Sequence, residues 1–144
     1  MGRLSAAILL LVLAAACGTT GNANASPKPS STFTMGQMNA SGVTGTGEVY
    51  KGAGSFTVSI HLKGMVPNSS HVSHVHVGTC AKPGGIAYAL LQVIADGQGN
   101  ATATSTVSEY YSMPATGWYV NVHEGENMDE AEYLPSISCG DLPA

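Results

Sequence analysis

The sequence predicts an all-β fold, a Greek-key β-sandwich or small barrel of about eight antiparallel strands, on three observations. From Phe33 onward apolar residues recur at a period near two, turn residues punctuate the chain every ten or so positions, and no segment carries a sustained helical stripe. A chain of 144 residues fits one domain. Short strands in that domain cover their edges by stacking or closing the sheet, which favours a sandwich or barrel.

The clearest strand is 54–63, where Phe56, Val58, Ile60 and Leu62 share one face while Ser55, Thr57, Ser59, His61 and Lys63 share the other. The first face is core, and His61 reads as a surface residue. The same alternation places strands at 33–39 and 43–51 before it and at 71–77, 89–95, 100–107, 117–123 and 137–141 after it. Between two of these, Asp96-Gly97-Gln98-Gly99-Asn100 offers Gly and Asn where a tight hairpin needs positive φ. Gly78, Gly84, Gly85 and Gly125 read as turn residues.

The N-terminal segment is an address rather than part of the fold. Arg3 precedes Leu4 to Ala16, an apolar run of thirteen ending in three Ala before Cys17. That layout is a signal peptide of the lipoprotein type over 1–16, too short for a spanning helix of roughly 20 apolar residues. Small residues directly before a Cys resemble the bacterial lipobox, with Ala14 where that pattern usually has Leu. The expectation is a lipidated Cys17, an exported protein held on the outer face of a bacterial membrane, a flexible linker over 17–32 and a domain over 33–144. Ordinary cleavage after a small-residue site is the alternative. Cleavage removes Arg3 and leaves four Lys against nine acids, a net −5. That sign argues against nucleic acid as a partner.

All five His lie in the domain, three of them in His71-Val72-Ser73-His74-Val75-His76. On a strand His74 and His76 project to one side about 6.5–7 Å apart, a spacing that lets two imidazoles converge on one metal ion, while His71 projects the other way. His123 ends Trp118-Tyr119-Val120-Asn121-Val122-His123, on the face opposite Val120 and Val122, and could supply a third nitrogen to an ion such as copper or zinc. The bland alternative is a set of solvated histidines on an outer sheet face. Cys80 and Cys139 are the natural disulfide pair once Cys17 is lipidated, with two free thiols as the alternative. Glu124, Glu126, Asp129, Glu130 and Glu132 form an acidic loop after His123, either simply solvated or drawing in a cation. Met35, Met38, Met65, Met113 and Met128 could offer thioether ligands, core packing being the plainer role for several of them.

Together these segments resemble the copper/zinc superoxide dismutase family from about Phe33 to Leu142. The early strands are similar in Val43 to Val49 and Phe56 to Pro67, the His-then-HxH signature in His71, His74 and His76, and one disulfide half in Gly78-Thr79-Cys80. The late ligand segment is similar in Val120 to Gly125, and the other disulfide half in Ser138-Cys139-Gly140. The resemblance implies His74, His76 and His123 as copper ligands, Cys80–Cys139 as a structural disulfide, and His71 as a packing or hydrogen-bonding residue. It also exposes departures. Only Ala81 to Ala89 stands where the family has its long zinc-binding loop, with no bridging His, so one copper ion and no zinc is implied. Ser136 occupies the place of the substrate-guiding Arg, and the 124–135 loop has acids but no Lys or Arg. An anion such as superoxide would arrive unsteered, which implies weak or absent dismutation. A fully active copper-only dismutase is the second expectation. The third is a metal-free surface interaction or structural domain, since chordin-type domains share the His-rich strand and the late Asn-Val-His.

Overall fold

The structure, a computed structural model, describes Gly2 and residues 26–144. Cys17 and, Gly2 aside, the expected signal segment lie outside the described residues. Among those described, no helix is long and apolar enough to cross a membrane.

The fold is all-β. Its strands are β1 (Ser31–Gln37), β2 (Thr44–Lys51), β3 (Phe56–Lys63), β4 (Ser70–His71), β5 (Ser73–Thr79) and β6 (Lys82–Ala89), then β7 (Val93–Ile94), β8 (Ala101–Val107), β9 (Trp118–His123) and β10 (Ser136–Asp141). A single-turn 3-10 helix, Ala131–Tyr133, lies in the acidic loop. Eight strands form one curled antiparallel sheet in the order β6-β5-β9-β10-β1-β2-β3-β8, and β4 pairs with β7 apart from it. The chain passes between the two halves of this sheet in Greek-key fashion. Their inner faces meet around Phe56, Val58, Ile60, Val75, Val120 and Val122, none more than 2% exposed. Met35 and Met65 are buried in this core. Trp118 stacks on Phe56 with ring centroids 5.7 Å apart, and Tyr88 and Tyr111 meet both rings edge-on.

β3 shows why alternation predicted the sheet. Phe56, Val58, Ile60 and Leu62 are buried, whereas the opposite face pairs polar groups with β8, Thr57 with Thr106 and Ser59 with Thr104, each at 2.8 Å. His61 is exposed on that face, 3.0 Å from the Thr102 hydroxyl, as a surface residue should be.

Four expectations need correction. The strand expected at 71–77 breaks at Val72, whose N–H donates to Gly125 O and whose carbonyl accepts from the His123 N–H. His71 therefore belongs to β4, not to the strand that carries His74 and His76. Residues 81–89, expected as a short loop, are mostly β6, an edge strand paired with β5. Pro83 and its two glycines hide it in the sequence, yet an edge strand tolerates Pro because its outer N–H groups need no partner. Third, 89–95 is only a two-residue strand, Val93–Ile94, because this run carries the chain across from β6 to β8. The turn at 96–100 does form. Asp96 Oδ1 accepts the N–H groups of Gln98 and Asn100, and Gly99 takes φ +78° where a Cβ would run into the Met65 carbonyl. Its flanking strands pair elsewhere, β7 with β4 and β8 with β3, so it joins two sheets instead of closing a ladder.

Candidate metal centre

β9 lies between β5 and β10, and both of its faces are covered, so all six of its residues are buried. Trp118, Val120 and Val122 face the core; Tyr119, Asn121 and His123 face the other way. The β5–β9 register sets His74 opposite Asn121 and His76 opposite Tyr119. Period two on each strand thus brings both HxH imidazoles to the face that carries His123. Ring centroids of His74, His76 and His123 lie 5.4–6.0 Å apart. One ligand atom from each falls within 4.8 Å of the others.

Hydrogen bonds decide which nitrogens are available. The His76 Nδ1–H donates to Gly84 O at 3.0 Å, and the His123 Nδ1–H donates to Leu134 O at 2.7 Å. A carbonyl can only accept, so each ring carries its proton on Nδ1 and presents a lone pair on Nε2. His76 Nε2 is buried with no partner, as is His74 Nδ1. His123 Nε2 accepts a hydrogen bond from Asn121 Nδ2 at 3.0 Å. The structure therefore leaves His74 Nδ1 and the His76 Nε2 lone pair unused, with His123 Nε2 engaged only by the Asn121 amide. Burying an acceptor without a partner costs about 1–3 kcal/mol, so two such atoms side by side mark a place shaped for something else.

Burial also sets the charge state. It pushes His74 down to about 4, helped by the neighbouring His123 and His76, and it lowers His76 against the opposing pull of the Gly84 carbonyl. Both rings are neutral at pH 7, the form that binds a metal.

His71 stands behind the cluster, buried in β4. Its Nδ1–H donates to the His123 carbonyl at 2.9 Å, and its Nε2 lies 2.7 Å from Ser69 Oγ. It holds the backbone of His123 instead of entering the site. Cys80, in the turn after β5, is disulfide-bonded to Cys139 on β10, with Cα atoms 5.9 Å apart. Glu124, Glu126, Asp129, Glu130 and Glu132 are all exposed in the loop that covers His123.

The sequence did not single out the groups that aim the rings. Gly84, read as a turn residue, sits inside β6 and gives His76 its acceptor; a Cβ there would run into the Val77 carbonyl. Leu134 gives His123 its acceptor from the far end of the acidic loop. Tyr119 stacks on His76 with centroids 5.0 Å apart. The signal available in the sequence was the shared face of Tyr119, Asn121 and His123, whereas the two imidazole N–H donations to backbone carbonyls depend on tertiary packing.

No protein-family model matches the sequence, and no curated protein does. Among solved structures, the fold is similar to that of a double mutant of a SOD-like protein from Bacillus subtilis. The TM-score is 0.58 at 13% identity, over 78% of this chain and 97% of that one. The two chains share a superoxide dismutase-like β-fold.

Proposed function

We propose that this chain is an exported, lipid-anchored copper-binding protein of the superoxide dismutase-like family, in which His74, His76 and His123 hold one ion and superoxide dismutation is weak or absent. One observation carries the reading: three imidazoles, two of them fixed by backbone carbonyls, gather one nitrogen each within 4.8 Å of one another, and the nitrogens on His74 and His76 are buried with no partner. All-nitrogen donors suit copper, and a bound copper ion would supply one-electron exchange. The chain's own part is to keep those nitrogens unprotonated and aimed. Gly84 O and Leu134 O fix the tautomers and ring planes, as outer groups of a metal site do.

The surroundings argue against efficient turnover of an anion. Ser136, in the place of the family's guiding Arg, pairs with His123 across β9 and β10. The covering loop is acidic. A field of that sign slows an approaching anion. Anchoring follows from the signal layout and Cys17.

Copper titration of the protein tests the site. One ion per chain in the wild type and none held in His123→Ala supports it, and undiminished one-to-one binding in the variant contradicts it. Superoxide turnover well above that of free aqueous copper would favour the active dismutase. Palmitate labelling that disappears in Cys17→Ala checks the anchor.

A metal-free structural domain is the second reading, favoured by the Asn121 amide that already satisfies His123 Nε2. Thermal melts separate the two. Copper at one hundred times Kd adds about 2.7 kcal/mol to a binding protein, and a flat response supports the metal-free domain.

A further inference from the structure

We infer that Asn121 is a fourth donor to the ion, through its side-chain oxygen; the inference rests on the copper reading above. Asn121 is 4% exposed and lies between two ligand histidines, directly across the sheet from His74 and two residues before His123 on the same face. Its Nδ2 is 3.0 Å from His123 Nε2, while its Oδ1 is buried with no partner. A buried amide with one half engaged and the other half orphaned calls for a second state.

Metal chemistry supplies that state. Two donors bound at about 2.0–2.1 Å to one ion lie about 2.9 Å apart at a right angle and about 3.3 Å apart at the tetrahedral angle. The 3.0 Å between Asn121 Nδ2 and His123 Nε2 is compatible with that range, so the amide lies close enough to share an ion with the ring after a small shift off the lone-pair axis. In the metal-free protein its N–H covers the lone pair that an ion needs. An ion on Nε2 would repel that N–H, and a half-turn of the amide exchanges nitrogen for oxygen within the same volume. Oδ1 then gains a partner. An amide oxygen is a harder donor than imidazole, so it favours copper(II) over copper(I) and opposes easy cycling between them.

Separate copper(II) and copper(I) affinities of the full chain, from competition with chelators of known strength, test the assignment. Asn121→Leu, of similar size but without a donor, weakens copper(II) by about tenfold or more and leaves copper(I) unchanged. Asn121→Asp, which keeps the oxygen, tightens copper(II) relative to copper(I) and retains the wild-type class of electron paramagnetic resonance spectrum. Equal loss of both ions in Asn121→Leu overturns the donor role and leaves a positioning one; no change in either variant overturns both roles. Should Asn121→Leu not fold, an unchanged copper(II) to copper(I) ratio in Asn121→Asp overturns the inference by itself. A wild-type chain that binds neither ion sinks the copper reading, whereas normal wild-type binding with indifferent variants sinks only this inference.

Discussion

His74 and His76 illustrate how a single side chain couples site and stability. Both are neutral in the fold because burial penalises the imidazolium, and His74 is held at about 4. In the unfolded chain they titrate near 6.5. Between those values the unfolded state binds more protons, so stability rises with pH through the window and is lost as pH falls from about 6.5 toward 4. Melting temperatures of the metal-free protein should therefore be flat above about pH 6.5 and decline below it, and His74→Gln should flatten part of that decline. A decline of equal depth in the variant would show that His74 is not the group involved. His71 makes a different contribution at the same scale. His71→Ala strips the His123 carbonyl of a buried donor, so urea unfolding should show a loss of about 1–3 kcal/mol. Copper affinity should fall with it, because the backbone of a ligand is released.

At the scale of elements, β6 connects the sheet edge to the histidine cluster. Gly84 passes close against Val77 on β5, and the carbonyl it presents orients His76. Gly84→Ala should push the edge strand outward. Copper affinity should drop about tenfold by titration, as for other losses of a group that orients a ligand. An unchanged affinity would mean that the Gly84 contact does not aim the ring.

Particular elements also show what the sequence could disclose. β3 and β8 were legible because one face of each packs into the core, Phe56, Val58, Ile60 and Leu62 on β3 and Ala101, Ala103, Ser105 and Val107 on β8, so burial writes its period into the residues. The HxH pair was legible for the same reason, since two residues apart on a strand means one face. β6 was not legible: its Lys-Pro-Gly-Gly opening carries turn chemistry, and an exposed edge imposes little pattern. The apolar run at 89–95 misled in the opposite sense. Leu90 packs on the core and Val93 is buried, but Leu91 and Ile94 are more than 60% exposed, so the run is a crossover whose hydrophobicity is not that of a strand. Asn121, Gly84 and Leu134 act through contacts made only after folding. Residue type alone did not reveal their roles.

For the molecule as a whole, the Cys80–Cys139 disulfide ties the β5–β6 turn to β10 across 59 positions. It clamps the two strands that flank β9, which carries His123. Closing a loop of that length stabilises the fold by about 4 kcal/mol on the chain-entropy model. A Cys80→Ser, Cys139→Ser double variant should lose a comparable amount in urea unfolding, and should bind copper more weakly where the fold survives. An undiminished midpoint would show that the core and sheet alone define the domain. The five exposed acids beside the site give this surface its sign, so raising ionic strength should speed, not slow, any reaction of the loaded protein with an anion.

Anomalous diffraction from crystals of the copper-loaded protein bears most directly on the central claim. Copper at this site predicts one peak per chain, about 2 Å from His74 Nδ1, His76 Nε2 and His123 Nε2 together. A peak at any other group, or none at the three imidazoles in saturated crystals, would contradict it.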